Sequence, residues 1–217
     1  RAAANETTLF VGVPFMAEQG EGYYNSVTAL GEGSGVYHKQ HLVPFGEYVP
    51  LEGLLRGLIA FFDLPMSAFS AGPLDQAPLR AGPFRVATSV CYEVVYPEMV
   101  ARSARNSDLL LTVSNDSWFG RSIGPLQHLQ MAQMRALENG RYMIRGTNNG
   151  VSAIVDHRGQ IVSRSEQYVE ATLKGEVNVM LGNTPFGTFG VTPVIAGCGI
   201  ALLLMNLMYL AFWREDR

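Results

Sequence analysis

The chain has 217 residues and a formal net charge of −3, which is enough for one globular domain with its own core. Hydrophobic residues make up 47% and charged residues 16%, and no basic stripe is present, so the composition argues against a nucleic-acid partner. The cysteines are Cys91 and Cys198, which lie in segments of different character, so no disulfide is expected. Because the chain begins at Arg1 and its first residues run directly into a strand pattern, we expect a fragment of a longer protein.

The body of the chain predicts an α/β fold with many strands and a few helices. Runs of β-branched and aromatic residues predict strands at 7–15, 23–30, 35–39, 84–90, 108–114, 142–147, 151–156, 161–165 and 171–179. The strands at 7–15 and 108–114 are expected to be buried. The turn sequences at 31–34 and 148–150 predict hairpins. Helices are expected at 97–106 and at 125–139, the second with Pro at its start and Gly140 after its end. The inner face of the second helix is predicted to carry Leu126, Leu129, Gln133, Ala136 and Leu137.

The C-terminal segment 191–213 contains 23 residues and no charge. As a helix with a rise of about 1.5 Å per residue it would reach roughly 34 Å, enough for a hydrocarbon core of about 30 Å. Pro193 falls in the first turn, and Tyr209 and Trp213 lie toward the far end, as at a membrane interface. We therefore expect a transmembrane helix at 191–213 rather than a buried core helix, after a domain at 1–188 and before a charged tail at 214–217. Two arginines in that tail indicate a cytoplasmic C-terminus.

A second apolar stretch, 54–62, is too short to cross a membrane. It is either a core segment or an interfacial loop that dips into lipid. The neighbouring transmembrane prediction favours the loop.

Cys91 follows the predicted strand at 84–90, and the ends of strands commonly carry functional groups. A catalytic cysteine acts as a thiolate and needs a base or a cationic neighbour, whereas a lone cysteine is more often a small buried hydrophobe. The ammonium group of Lys39 is a candidate neighbour because it can lower a thiol pKa and stabilise an oxyanion. On spacing alone a solvated hairpin residue is the better interpretation of Lys39.

Four further residues near Lys39 and Cys91 have more than one interpretation. Glu47 and Glu93 can hold Lys39, act as acid–base groups or be surface carboxylates. His38 and His41 are alternative bases for a Cys–His dyad, and they lack a third ligand at metal-binding spacing.

Two aromatic and two histidine residues complete the candidates. Trp118 and Phe119 follow the buried strand at 108–114 and form either a pocket wall or a loop anchor. His128 is expected on a helix surface and His157 in a turn.

Five segments taken together resemble the nitrilase superfamily and, within it, the membrane-bound branch of apolipoprotein N-acyltransferases. They are 37–50 (YHKQHLVPFGEYVP), 89–98 (SVCYEVVYPE), 111–120 (LTVSNDSWFG), 124–159 and 184–190 (TPFGTFG), the last just before the apolar tail. The resemblance covers nearly the whole chain. It implies an αββα sandwich whose N-terminal strand and helix are missing here, followed by one C-terminal transmembrane helix. It also implies a periplasmic catalytic domain on a multi-pass protein of the bacterial inner membrane.

The resemblance implies a Glu-Lys-Cys catalytic triad. Cys91 matches the nucleophile and Lys39 the oxyanion-stabilising lysine, while Glu47 and Glu93 match supporting carboxylates. The catalytic glutamate would lie in a Pro-Glu turn upstream of the strand at 7–15, and no such turn precedes Thr7. We therefore expect this chain to be inactive by itself.

The implied reaction moves an acyl chain from a phospholipid through a Cys91 thioester to the α-amine of a diacylglyceryl-cysteine on an apolipoprotein. The residues expected to contact membrane lipid and substrate are Tyr92, Trp118, Phe119, Leu58, Phe61 and Phe62. The resemblance implies no metal or organic cofactor, and we expect a monomer. Two alternatives remain open: a membrane-anchored nitrilase-type amidase with water as acceptor, and a non-catalytic tethered binding domain.

Overall fold

The computed structural model describes residues 6–17, 22–48, 50 and 69–215, with the backbone alone for 210–215. The strands are β1 Thr8–Met16, β2 Tyr23–Gly31, β3 Gly33–Ser34, β4 Val36–His38, β5 Leu79–Ala81, β6 Phe84–Val90, β7 Leu109–Ser114, β8 Met143–Thr147, β9 Ala153–Val155 and β10 Ile161–Arg164. The α-helices are α1 Pro97–Ala104, α2 Gly124–Asn139, α3 Pro185–Phe189 and α4 Thr192–Glu215. Two 3₁₀ turns are named here the cysteine turn, Cys91–Val95, and the aromatic turn, Asp116–Phe119.

The strands form two sheets. The smaller sheet has the order β1-β2-β4 and is antiparallel, and the larger has the order β10-β9-β8-β7-β6-β5-β3. At the centre of the larger sheet β6, β7 and β8 run parallel, so their carboxyl ends meet at one edge. Such an edge is where open α/β sheets usually bind ligands, and the cysteine turn and the aromatic turn both begin there.

The larger sheet is buried on both faces, which explains the continuous apolar sequence of β7. Leu110 packs with residues of α1 and α2 on one face. Leu109 and Leu111 point to the other face and pack with Val27 and Tyr37 of the smaller sheet. The described residues therefore stack as a helix layer on two sheets, in agreement with the sandwich that the sequence predicts.

Most predicted elements are present within one or two residues, and two predictions about strands are wrong. The run at 171–179 forms no strand; instead Leu173 and Val177 pack on the core between the sheets, which accounts for their apolar character without strand pairing. The first strand, predicted as buried, leaves Leu9 51% exposed, because in the described residues β1 is the edge strand of a sheet that packs on one face.

The inner face of α2 also differs from the prediction. Leu126 and Leu137 are exposed, whereas Leu129, Ala132 and Ala136 are buried. The polar side chains of His128, Arg135 and Asn139 share the buried face. The prediction that His128 lies on the surface is therefore wrong, because the interior supplies hydrogen-bond partners for it that apolar periodicity does not count.

Helix α4 extends away from the sandwich. The stretch Thr192–Tyr209 has a mean hydropathy of 1.7, and none of its side chains is buried, so its length and composition suit a membrane span. Its start is attached to α1, because Glu98 accepts a hydrogen bond from the Val191 amide at 3.0 Å. Arg105, the residue after α1, donates to the Gly187 carbonyl of the preceding helix α3 at 2.7 Å. The apolar stretch 54–62 lies outside the described residues.

Candidate active site

The cysteine turn presents Cys91 directly at the end of the buried strand β6. Cys91 has φ of +54°, a left-handed conformation that costs a non-glycine residue about 1–2 kcal/mol. A local hydrogen bond stabilises the turn, because the Glu93 carboxylate accepts from the Val90 amide at 2.7 Å. Backbone strain at a strand end, with the strained residue open to solvent on one side, is common at functional sites.

Glu93 links the cysteine turn to the segment after β4. Its carboxylate is fully buried and accepts the amide of Gln40 at 2.6 Å and that of His41 at 3.1 Å. The hydroxyl of Tyr37 donates to both of its oxygens at 3.1 Å. Burial raises the pKa of Glu93, while the amide donors and the charge of Lys39 act in the opposite direction. Glu93 thus fixes the relative position of the two segments that carry Cys91 and Lys39.

Lys39 is buried and paired with a carboxylate. Only 1% of its side chain is exposed, and its Nζ lies 2.8 and 2.7 Å from the two oxygens of Glu47. Glu47 also accepts the amide group of Asn25 at 2.9 Å and the main-chain N–H of Val43 at 2.8 Å. The alternative of a solvated hairpin lysine is therefore wrong, and both oxygens of Glu47 are occupied.

A cavity of about 700 Å³ opens between these elements, a size typical of small-molecule sites. Six of the predicted residues line it: Lys39, Glu47, Cys91, Tyr92, Trp118 and Phe119. The other lining residues come from β1, β2, the segment after β4, the segment before β5 and the ends of β6, β7 and β8, and include Asn25, Phe69, Val113, Asn115 and Asn148. Trp118 is 66% exposed, so it forms part of the cavity wall rather than a loop anchor.

The remaining predicted residues lie elsewhere. Glu93 is buried and is not among the described residues that line the cavity. Leu58, Phe61 and Phe62 lie outside the described residues. His38 and His41 are not among the described residues that line the cavity: His38 bonds to Ser26 Oγ at 2.7 Å, and the ring of His41 lies 4.5 Å from that of Tyr96. They therefore do not form a dyad with Cys91 in this arrangement.

Sequence reasoning missed a buried charged cluster beneath Cys91. Asp116 contacts Arg145 Nη2 at 2.7 Å and His128 Nδ1 at 3.1 Å, and His128 Nε2 lies 3.1 Å from the carbonyl oxygen of Cys91. Burial would raise the pKa of Asp116, but the hydrogen bond to His128 and the charge of Arg145 hold it below its usual range. Burial lowers the pKa of Arg145, while Asp116 and a Cys91 thiolate act against that effect. The sequence feature that could have indicated this cluster is Arg145, a charged residue inside the strand predicted at 142–147.

The fold is that of the carbon–nitrogen hydrolases. The carbon–nitrogen hydrolase family model matches residues 1–185, and the chain belongs to this family. Among solved structures, the chain is similar in fold to the NitFhit protein of C. elegans, with a TM-score of 0.60 and 19% identity over 78% of this chain and 42% of that chain. It is likewise similar in fold to a carbon–nitrogen hydrolase of Helicobacter pylori, with a TM-score of 0.60 and 17% identity over 78% of this chain and 61% of that chain.

Curated relatives at higher identity carry a more specific name. The chain is 57% identical over 205 residues to the apolipoprotein N-acyltransferase of Pseudomonas paraeruginosa, 93% of this chain and 40% of the relative. It is 57% identical over 208 residues to the enzyme of that name from Azotobacter vinelandii, a match that covers 94% of this chain and 40% of the relative. It is 42% identical over 226 residues to that from Vibrio vulnificus, a match that covers 100% of this chain and 43% of the relative. The chain thus spans about 40% of the length of these relatives.

Proposed function

We propose that this chain carries the acyl-transfer site of an apolipoprotein N-acyltransferase. The observation that carries the proposal is that Cys91 and the ion-paired Lys39 line the same cavity. The names of the curated relatives support the choice of reaction. In this proposal residues 1–188 are the catalytic domain and residues 191–213 are a transmembrane helix that keeps the cavity near lipid.

The chemistry follows from the residues that line the cavity. The Cys91 thiolate attacks the ester carbonyl of a phospholipid, and the ester C–O bond breaks to give a Cys91 thioester and a lysophospholipid, which leaves with a proton. The free α-amine of a diacylglyceryl-cysteine then attacks the thioester, an amide bond forms and the Cys91 thiol is released. The ammonium group of Lys39 and the backbone N–H of Tyr92 stabilise the oxyanion of each tetrahedral intermediate.

The base that takes the thiol proton is proposed to lie outside the described residues. Among the described residues that line the cavity, Glu47 is the one carboxylate, and Lys39, Asn25 and the Val43 amide occupy its oxygens. Its role is to hold the ammonium group of Lys39 in place through both carboxylate oxygens. A glutamate upstream of Arg1 in the complete protein is the proposed base, and accordingly the 217 residues alone are proposed to turn over little or no substrate.

The acyl chains are proposed to lie along the apolar part of the cavity wall. Phe69, Val113, Trp118 and Phe119 line it, and Leu58, Phe61 and Phe62 of the stretch 54–62 are proposed to continue this surface into the membrane. The catalytic domain is proposed to face the periplasm from the inner membrane, as a monomer without metal or organic cofactor.

The test is a transfer assay on the protein expressed from its complete gene in membranes. With phospholipid and a synthetic diacylated lipopeptide, mass spectrometry should detect the N-acylated lipopeptide, and Cys91→Ala should abolish it. Asp75→Asn, an exposed carboxylate away from the cavity, is the matched control and should retain activity. Hydrolysis of small amides without N-acylated product would contradict the proposal and favour a membrane-anchored amidase. Activity that survives Cys91→Ala would favour a binding role for this site.

A further inference from the structure

The main chain of Cys91 is held in its strained conformation by a side chain from another element. His128 of α2 places Nε2 3.1 Å from the Cys91 carbonyl oxygen. Because a carbonyl oxygen only accepts hydrogen bonds, Nε2 carries a proton and donates it. A non-glycine residue with positive φ persists only where its surroundings hold it, and this hydrogen bond acts on the strained residue itself.

Helix α2 also holds the far end of the cysteine turn. Arg135 Nη1 donates to the Val95 carbonyl at 3.1 Å. His128 and Arg135 are seven residues apart, two turns of one helix face. The same helix face therefore binds the carbonyls of the first and the last residue of the turn.

The imidazole ring of His128 is fixed by two buried charged groups of opposite sign. Its Nδ1 lies 3.1 Å from Asp116 Oδ1 and 3.2 Å from Arg145 Nη2. Asp116, His128 and Arg145 are 1, 3 and 2% exposed. Whether Nδ1 donates to Asp116 or accepts from Arg145, the ring keeps the same orientation and Nε2 keeps its proton.

The cluster is tied into the larger sheet at two further points. Ser114 Oγ donates to Asp116 Oδ1 at 2.6 Å, and Arg145 Nε donates to the Val151 carbonyl at 3.2 Å. Gly150 leaves space for Asp116, since a Cβ on Gly150 would stand 2.8 Å from both Cβ and Cγ of Asp116. The cluster therefore joins the ends of β7 and β8 to the cysteine turn.

We propose that Asp116, His128 and Arg145 are positioning residues for the nucleophile. They fix the carbonyl of Cys91, and with it the left-handed backbone that directs the Cys91 side chain into the cavity. None of the three is among the described residues that line the cavity, so they act through Cys91 and not on substrate. The inference rests on the proposed function of Cys91 as the acylated nucleophile.

The test measures Cys91 acylation by phospholipid, read as the thioester by mass spectrometry, in the protein expressed from its complete gene. At saturating phospholipid we expect His128→Ala to acylate about 10²-fold more slowly, with the half-saturating phospholipid concentration changed by less than about 3-fold. His128→Gln should recover to within about 10-fold of the parent rate, because an amide also donates to the Cys91 carbonyl and accepts from Arg145. Gly150→Ala displaces Asp116 and should show the same loss of rate, which provides a second variant if His128→Ala does not fold.

Leu129→Ala is the matched control, since Leu129 is the next residue of α2 and equally buried but packs in the apolar core. It should lower the melting temperature yet acylate at a rate within about 3-fold of the parent, because it removes apolar packing but none of the hydrogen bonds that hold the Cys91 carbonyl. The inference is overturned if His128→Ala is no slower than Leu129→Ala, or if His128→Gln is no faster than His128→Ala.

A substrate-independent readout separates this inference from the proposed function. The rate of iodoacetamide alkylation at Cys91, resolved from Cys198 by peptide mass spectrometry, should fall about 10-fold in His128→Ala and not in Leu129→Ala. If the parent forms no thioester, the proposed function fails and the alkylation rates alone decide the inference. Equal alkylation of the two variants would then overturn it.

Discussion

At the scale of single residues, the site depends on charged side chains that are buried together with their partners. Lys39 with Glu47, and Arg145 with Asp116, are ion pairs inside the protein. Removing one member of such a pair leaves an uncompensated buried charge, which is costly. Spacing alone favours a solvated Lys39 and only the family resemblance assigns it a function, because the burial of a side chain depends on contacts between distant segments. For the same reason, the sequence did not predict a functional role for Asp116 or His128.

Asp116→Asn is expected to destabilise the protein in a pH-dependent way. The pKa of Asp116 is held below its usual range, so its carboxylate stabilises the folded state above the ordinary aspartate pKa of about 3.9, and that contribution is lost as pH falls through the lower folded value. At pH 7 the variant should lose about 3–5 kcal/mol of unfolding free energy. The difference from the parent should shrink below about pH 4.

Chemical unfolding in detergent at pH values from 7 to 3, followed by tryptophan fluorescence, measures this difference. Asp75→Asn serves as the control, since Asp75 is exposed and should leave the free energy within about 0.5 kcal/mol at every pH. If Asp116→Asn lowers the free energy of unfolding by the same amount at every pH from 7 to 3, the electrostatic explanation is contradicted.

At the scale of elements, local patterns predict most of the fold. Strands β6 and β7 were expected from their apolar β-branched runs, and the hairpin between β8 and β9 from its Asn-Asn-Gly turn. Local sequence patterns gave the wrong prediction where contacts with distant segments decide the structure. The segment 171–179 has the composition of a strand but only packs its apolar side chains on the core. The buried face of α2 was misassigned because polar partners in the interior bury His128 and Arg135.

Gly140 ends α2 and should resist substitution. It has φ of +60°, and the amide of Arg141 returns to the Ala136 carbonyl at 3.1 Å, the hydrogen bond of a glycine-terminated helix. A Cβ at this position would also lie 3.0 Å from Cγ2 of Thr184. Gly140→Ala is therefore expected to cost about 1–2 kcal/mol of unfolding free energy.

Gly199→Ala provides the comparison for that measurement. Gly199 lies within α4 and a Cβ there meets no atom within 4 Å, so alanine should be neutral or slightly stabilising. Chemical unfolding of both variants in detergent checks the pair. Equal free energies for Gly140→Ala and the parent would show that the left-handed end of α2 is not required.

At the scale of the whole molecule, the chain combines a cavity at the carboxyl ends of parallel strands with an apolar helix that is not buried. The sequence predicted both features, the cavity residues through a family resemblance and the helix through length and absence of charge. It did not predict how the helix is attached, because Glu98 in α1 and Arg105 just after it bind main-chain groups 93 and 82 residues further along the chain. The attachment connects the start of α4 to the helix that follows the cysteine turn.

If α4 spans a membrane, Cys198 should be shielded by lipid in intact membranes. In the Cys91→Ser variant, labelling of Cys198, which is exposed on α4 in the structure, is followed at its own peptide by mass spectrometry. A polar maleimide should label it slowly in membranes and rapidly after transfer to detergent and unfolding, because the reagent and the thiolate are both excluded from hydrocarbon. Fast labelling in intact membranes would contradict a span that includes residue 198.

The central claim is that Cys91 accepts an acyl group within this cavity. The most direct measurement is intact and peptide mass spectrometry of the protein expressed from its complete gene, after incubation with a phospholipid of defined acyl chains and no amine acceptor. The account predicts an added acyl mass on Cys91 that hydroxylamine removes and a diacylated lipopeptide discharges. It also predicts that Lys39→Met lowers the acylation rate by about 10²–10³-fold, the loss typical of one oxyanion-stabilising group. An unmodified Cys91 in a preparation that still transfers acyl chains would contradict it.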